Sequence, residues 1–278
     1  MFGHIAHIRQ ISHRGITVVL ATGSLACATG LTAPVAEGAV SQPAGGTTTL
    51  CNNTWKAVDV PGVADQQVKI IDDDFGSDSC LSNSGNVGFD VTKSTSTGGW
   101  TEYPNISTGW ERGEEPAEHG AWKFPVEVSQ DGAPWADVTT GAVEPGSAYN
   151  AAYDIWFDKT GETPVPSQAT GAEVMVWLQH ENVDGPAAGS AVYTIDGIQW
   201  QAMKWVTTFN HKSWNYIAFV AVSQHTSASL SLNPFFQKAE ELGTLKSSWY
   251  LTSVDFGFEI PRGGVGLRVN SFKFGGVK

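Results

Sequence analysis

Glu173-Val174-Met175-Val176-Trp177-Leu178 sets a carboxylate, a thioether and an indole at alternate positions. Successive side chains of a strand leave on opposite faces. Val174, Val176 and Leu178 then point to a core, and Glu173, Met175 and Trp177 share the other face. Such a face suits a groove for sugar: the indole offers a flat apolar surface to a pyranose ring, and the carboxylate reaches the anomeric carbon. In Leu251–Glu259, Val254, Phe256 and Phe258 form the core face, while Asp255, Gly257 and Glu259 form the other. Gly257 is expected to leave open space beside Glu259. In Ala151–Phe157, Ala152, Asp154 and Trp156 alternate with Tyr153, Ile155 and Phe157, giving a further carboxylate on a strand face. Two carboxylates facing one cleft are the minimum for glycoside hydrolysis, one attacking or activating water and the other protonating the leaving oxygen. A spacing of about 5–5.5 Å would retain configuration through a covalent glycosyl-enzyme. Any one of these segments alone also reads as an ordinary amphipathic strand.

Other chemistries find less. The seven histidines form no HExxH motif, and His180, His211 and His225 are scattered. No GxSxG elbow, Walker loop or dinucleotide fingerprint is present. Asp72-Asp73-Asp74 lacks the closing Glu of a calcium loop and reads as a solvated acidic turn. Neither a metal nor a cofactor is expected.

The elements that must position these residues are strands. The 278 residues include 31 Gly and 11 Trp, with only 16% charged residues, a composition for strands and turns rather than helices. The alternating segments are Gln67–Asp72, Val87–Lys93, Ala148–Phe157, Glu173–Leu178, Ala191–Ile195, Gln199–Trp205, Trp214–Val222, Leu251–Glu259 and Val265–Phe274. Their spacing argues for an all-β sandwich or jelly roll. One helix is expected over Pro234–Leu242, with Phe235, Phe236, Ala239 and Leu242 on one face and Gly243 as its stop.

Residues 1–39 read as a secretory signal: Arg9 and Arg14, the apolar stretch Ile16–Ala28, then small residues to Ala39. Cleavage is expected between Ala28 and Ala39; Cys27 only faintly resembles a lipoprotein site. Residues 40–49 read as a flexible leader and 50–278 as a single domain. Removing the signal leaves Cys51 and Cys80, and an exported chain with two cysteines pairs them. That bridge would stabilise by about 3 kcal/mol. The net charge of −12 makes nucleic acid and anionic membranes poor partners. A monomer is expected.

Taken in order, Ala152-Tyr153-Asp154-Ile155-Trp156, Glu173–Leu178, Trp249–Glu259 and Val269-Asn270-Ser271-Phe272 resemble glycoside hydrolase family 12. The resemblance covers roughly Cys51 to Phe274. It implies a β-jelly-roll of two antiparallel sheets, one packed helix and a concave substrate groove. It implies secreted, retaining endo-β-1,4-glucanases without a cofactor, acting on a β-glucan polysaccharide. Glu173 matches the family's nucleophile, Glu259 its general acid/base, and Asp154 the Asp that hydrogen-bonds the nucleophile. Met175 and Trp177 match groove residues beside it. The family's Asn-x-Trp-Gly stretch is replaced by Asp73-Asp74-Phe75-Gly76, so Phe75 stands where a distal sugar-stacking Trp is usual. The segment Tyr103–Trp122 carries Glu111, Glu114, Glu115 and Glu118; its Trp110 and Trp122 are alternative sugar platforms or packing residues. A carbohydrate-binding jelly roll without catalysis, and a xylanase on the same architecture, are the competing readings.

Overall fold

Period-two alternation folds most of this chain into strands. The computed structural model describes residues 46–277 except 62–65, 111–115, 120–122, 142–144, 167–168 and 210. The expected signal with Cys27, leader residues 40–45, Trp122, Glu111, Glu114 and Glu115 lie outside the described residues, as does the side chain of Glu118. The strands are β1 Thr48–Cys51, β2 Trp55–Asp59, β3 Gln66–Ile71, β4 Ser79–Asn83, β5 Phe89–Ser94, β6 Asn105–Gly109, β7 Glu118–His119, β8 Val126–Glu127 and β9 Gly132–Thr140. They continue as β10 Ala148–Asp158, β11 Ala172–Glu181, β12 Val192–Ile195, β13 Ile198–Phe209, β14 Lys212–Ala221, β15 Ser227–Ser231, β16 Tyr250–Arg262 and β17 Arg268–Val277. The helix α1 spans Asn233–Glu241, within a residue of expectation.

Two sheets face each other. The smaller has the order β1-β4-β5-β17-β9-β15; the larger runs β12-β13-β14-β11-β10-β16-β6-β3-β2, with β7 on β3 and β8 on β16. Pairing is antiparallel except between β11 and β14, which run parallel with Glu173 opposite Tyr216. The expected jelly-roll sandwich is therefore present, with one parallel seam in its larger sheet. Between the sheets lie the aliphatic and aromatic residues of the alternating pattern, among them Val174, Val176, Leu178, Tyr153, Ile155, Phe157, Val254, Phe256 and Phe258. Rings meet across the gap, as in Phe89 against Phe258 at 6.1 Å and Tyr153 against Phe272 at 6.5 Å. The helix covers the core face of β10, β13 and β14. Phe235 packs on Trp200 and Phe219, and Phe236 on Phe157. Gly243, at φ +76°, ends it as expected.

The strands β1, β2, β4, β6, β9 and β15 escaped the sequence reading, as did the two-residue β7 and β8. β1 begins inside the expected leader, so the folded part starts earlier than residue 50. β6 lies inside the expected 103–122 loop and is buried on both faces. Its Asn-Ile-Ser-Thr-Gly sequence has no apolar alternation to read. Cys51 and Cys80 are bonded, directly opposite one another in the β1–β4 pairing.

Gly257 differs from its expectation. A Cβ there would lie 2.1 Å from the Pro104 carbonyl oxygen and 2.7 Å from Asn105 Cβ. The space is filled by the approach of β6, whose preceding Pro104 carbonyl accepts the Phe258 N–H at 3.2 Å. Glycine is there to let two backbones meet. Gly257→Ala should push β16 off β6 and destabilise the fold by about 1–3 kcal/mol. Urea unfolding would show this as a lowered midpoint with an unchanged slope.

Candidate active site

The centre of the larger sheet gathers the expected carboxylates on the face away from the core. Glu173 pairs with Trp156 of β10 on one side and Tyr216 of β14 on the other. Met175 pairs with Asp154 and Ala218, and Trp177 with Ala152 and Val220. Across β10, Asp154 faces Asp255, Ala152 faces Gly257, and Asn150 faces Glu259. Along β10, Asp154 thus lies between the partner of Glu173 and the partner of Glu259. Alternation puts Glu173, Asp154, Glu259, Met175 and Trp177 on this one face, opposite Val174, Ile155 and Phe258 in the core.

Burial makes each of these groups depend on a partner. Asp154 and Asp255 are fully buried, and Glu173 and Glu259 are 1% exposed. The indole N–H of Trp214 donates to Glu173 Oε2 at 2.7 Å. Trp214 is itself buried, its ring 5.9 Å from Trp156. The side-chain amide of Asn150 donates to Glu259 Oε2 at 2.5 Å and accepts the backbone N–H of Glu259 at 3.4 Å. The Met175 sulfur accepts from Tyr216 Oη at 3.1 Å and from Trp177 Nε1 at 3.5 Å. Tyr216 in turn stacks on Trp205, with centroids 4.0 Å apart.

The expected sugar platforms are placed less simply. Phe75 is only 7% exposed and Trp177 1%. Trp110 follows β6 on the core side, where it packs against the inter-sheet cluster and donates its indole N–H to the Phe124 carbonyl at 3.2 Å. Trp214, Asn150, Trp156 and Tyr216 were not singled out from sequence. Alternation would have found Trp214 and Tyr216, which share one face of β14 while Ile217 and Phe219 point to the core.

The acidic segment Asp72-Asp73-Asp74 is not the solvated turn its composition suggests. Asp72 is fully buried and Asp73 nearly so. Ser79 Oγ lies between Asp72 Oδ1 and Asp74 Oδ1, and the Ser79 N–H donates to Asp74 Oδ1 at 2.9 Å. One hydroxyl proton cannot serve two carboxylates. A proton on Asp72 donating to Ser79, which donates on to Asp74, satisfies all three. Burial pushes Asp72 up to about 8 and Asp74 up to about 6. Glu102, bridged to Asp74 through the backbone, is fully buried and pushed by that burial up to about 7. Its Oε1 accepts from Ser77 at 2.6 Å and Ser94 at 3.1 Å. Among the described residues, no group of three or more His, Cys, Asp or Glu is arranged to hold a metal.

Residues 42–275 match the family model of glycosyl hydrolase family 12. Endoglucanase S of Pectobacterium parmentieri is 33% identical over 162 residues, which is 57% of this chain and 59% of that protein. The chain therefore spans less than two thirds of that relative. Probable cellulase Cel12b of Mycobacterium tuberculosis is 32% identical over 126 residues, 45% of this chain and 78% of that protein. Among solved structures, a metagenome-derived glycoside hydrolase family 12 endoglucanase superposes with a TM-score of 0.70 at 27% identity, covering 83% of this chain and 98% of its own.

The buried carboxylates set a pH dependence of stability. Their folded values lie above the ordinary 3.8 of Asp and 4.5 of Glu. The folded chain therefore keeps protons that the unfolded chain releases, and stability falls as pH rises through those folded values. The melting temperature should drop between about pH 4 and about pH 8, and Glu102→Gln should flatten part of that slope. A melting temperature unchanged across that range would show that these carboxylates hold no extra protons.

Proposed function

Because the chain belongs to glycosyl hydrolase family 12, we propose that it is a secreted endo-β-1,4-glucanase acting on β-1,4-glucan chains with retention of configuration. The observation that carries this reading is the common face of Glu173 and Glu259, on β11 and β16, with Asp154 on the strand between them. The relatives named for endoglucanase and cellulase activity support a β-1,4-linked glucose polymer over xylan.

Glu173 attacks the anomeric carbon as the ionised nucleophile. Trp214 holds its Oε2 by the indole N–H, which fixes the carboxylate without taking its charge. Glu259, protonated at that moment, gives its proton to the departing glucosyl oxygen. Glu259 then takes a proton from water, which releases the glycosyl group from Glu173. Asn150 sets the orientation of Glu259. Asp154 acts on Glu173 from the neighbouring strand. The reaction consumes one water per bond and draws on no cofactor.

Export fits the expected signal at residues 1–39, and the Cys51–Cys80 bond suits an oxidising compartment. No helix among the described residues is long and apolar enough to cross a membrane. A monomeric enzyme is proposed.

Reducing ends released from carboxymethyl cellulose, mixed-linkage β-glucan, xyloglucan and xylan test the reading. Glu173→Gln and Glu259→Gln should each abolish release while circular dichroism stays native. Trp214→Phe, which removes one hydrogen bond to a charged group, should lower kcat by about tenfold or more. Near-native turnover by Glu173→Gln would sink the assignment. A folded native chain that binds glucan but releases nothing would make it a binding protein.

A further inference from the structure

We propose that Trp100 is a sugar-stacking platform of this enzyme, taking one pyranose ring of the glucan away from the bond that breaks. The proposal rests on the glucanase reading. It names a part of the groove that the carboxylate-bearing strands do not mark.

Two indoles meet at this end of the sheet face, and the backbone of Phe75 lies beside them. Trp177 lies in the floor at 1% exposure, and Phe75 is 7% exposed. Neither offers a free ring face. Trp100 is only partly buried. It packs against the cluster that lines this face, with Ala152, Met175, Trp177, Tyr216, Ala218 and Val220. Its ring centroid is 6.2 Å from that of Trp177, tilted by 50°. Trp177 thus supports Trp100 from below, and Trp100 carries the ring area that solvent reaches.

The backbone ties the residues after Trp100 to the Asp73–Phe75 segment. The N–H of Phe75 donates to the Thr101 carbonyl at 3.0 Å, and the N–H of Tyr103 donates to the Asp73 carbonyl at 2.8 Å. Asp74 and Glu102 pair between those two bonds. Gly98 and Gly99, at φ +153° and +83°, turn the chain into this position. The next residue, Thr101, is pinned. Its Oγ1 is bonded to Ser77 at 2.9 Å and to Ser96 at 2.8 Å, and Ser96 Oγ donates to the Pro261 carbonyl at 2.8 Å. Pro261 lies two residues beyond Glu259, so the same hydroxyls tie this loop to the strand of the acid/base. A ring held this way loses little freedom when a sugar lands on it.

The chemistry of the platform names its ligand. The axial C–H groups of a β-linked glucosyl ring present an apolar face to an indole, whose π face is electron-rich. Trp177, the support of Trp100, is four residues from Glu173 along β11, or about 13 Å. The platform therefore binds chain without touching the reacting atoms, and its loss falls on KM rather than kcat.

Cellohexaose binding by calorimetry, in a Glu173→Gln background, reads the platform directly. Trp100→Ala should weaken binding about tenfold, Trp100→Leu equally, and Trp100→Tyr much less. Leu keeps apolar packing on Trp177 without a flat ring, so it separates stacking from support. In the active enzyme, Trp100→Ala should raise KM on soluble β-glucan about tenfold with kcat within about twofold. Folded Trp100→Ala and Trp100→Leu proteins that bind as tightly as their parent overturn the platform. A Glu173→Gln protein that still hydrolyses glucan, or a parent that does not bind the hexaose, overturns the glucanase reading instead.

Discussion

All eleven residues of β10, from Ala148 to Asp158, are buried, so neither face of this strand meets bulk water. One face lies in the apolar core. The other carries Asn150, Asp154 and Trp156 among carboxylates from both neighbouring strands. A polar group in such a place needs a hydrogen-bond partner where water is excluded. That requirement accounts for the residues around it. Trp214 serves Glu173 and Asn150 serves Glu259. The core face does the complementary work, because its tight rings fix the register that sets these pairs opposite one another.

The parts of the fold that sequence exposes are those where the two faces differ in chemistry. β10, β11 and β16 alternate large apolar residues with carboxylates and small residues, so their faces and the three carboxylates were readable. The family resemblance added roles, but the shared face of Glu173, Asp154 and Glu259 came from alternation alone. β6 hid because Asn105, Ser107 and Thr108 are buried among polar neighbours and leave no contrast to see. The short strands β1, β4 and β15 hid because each has only four or five residues, most of them Ser, Thr or other small or polar types, with a single Leu to mark the core face. Gly257 misled for another reason. A missing side chain marks either open space or a close backbone, and only the neighbouring strand decides which. Asp72 and Asp74 were misread because a run of three carboxylates is ordinarily solvated; nothing local announces that Ser79 comes back to bridge two of them.

Two systems of buried carboxylates therefore sit in one domain with different solutions. On the sheet face, donors from Trp and Asn side chains satisfy the glutamates. At Asp72, Asp74 and Glu102, hydroxyls and retained protons do so, and burial outweighs the hydrogen bonds that lower the values. The second arrangement is structural: it knits Asp73–Phe75 to Thr101–Tyr103.

The outermost strands at one side of both sheets come from a single short stretch of chain. β1 ends the smaller sheet, β2 ends the larger, and the chain passes from one to the other between Cys51 and Trp55. Peeling this stretch away would uncover the rims of β4 and β3 together, two rows of unpaired backbone groups ready to join another molecule. The Cys51–Cys80 bond sits at that corner. It ties β1 to β4 covalently and so holds in place the stretch of chain that covers both rims.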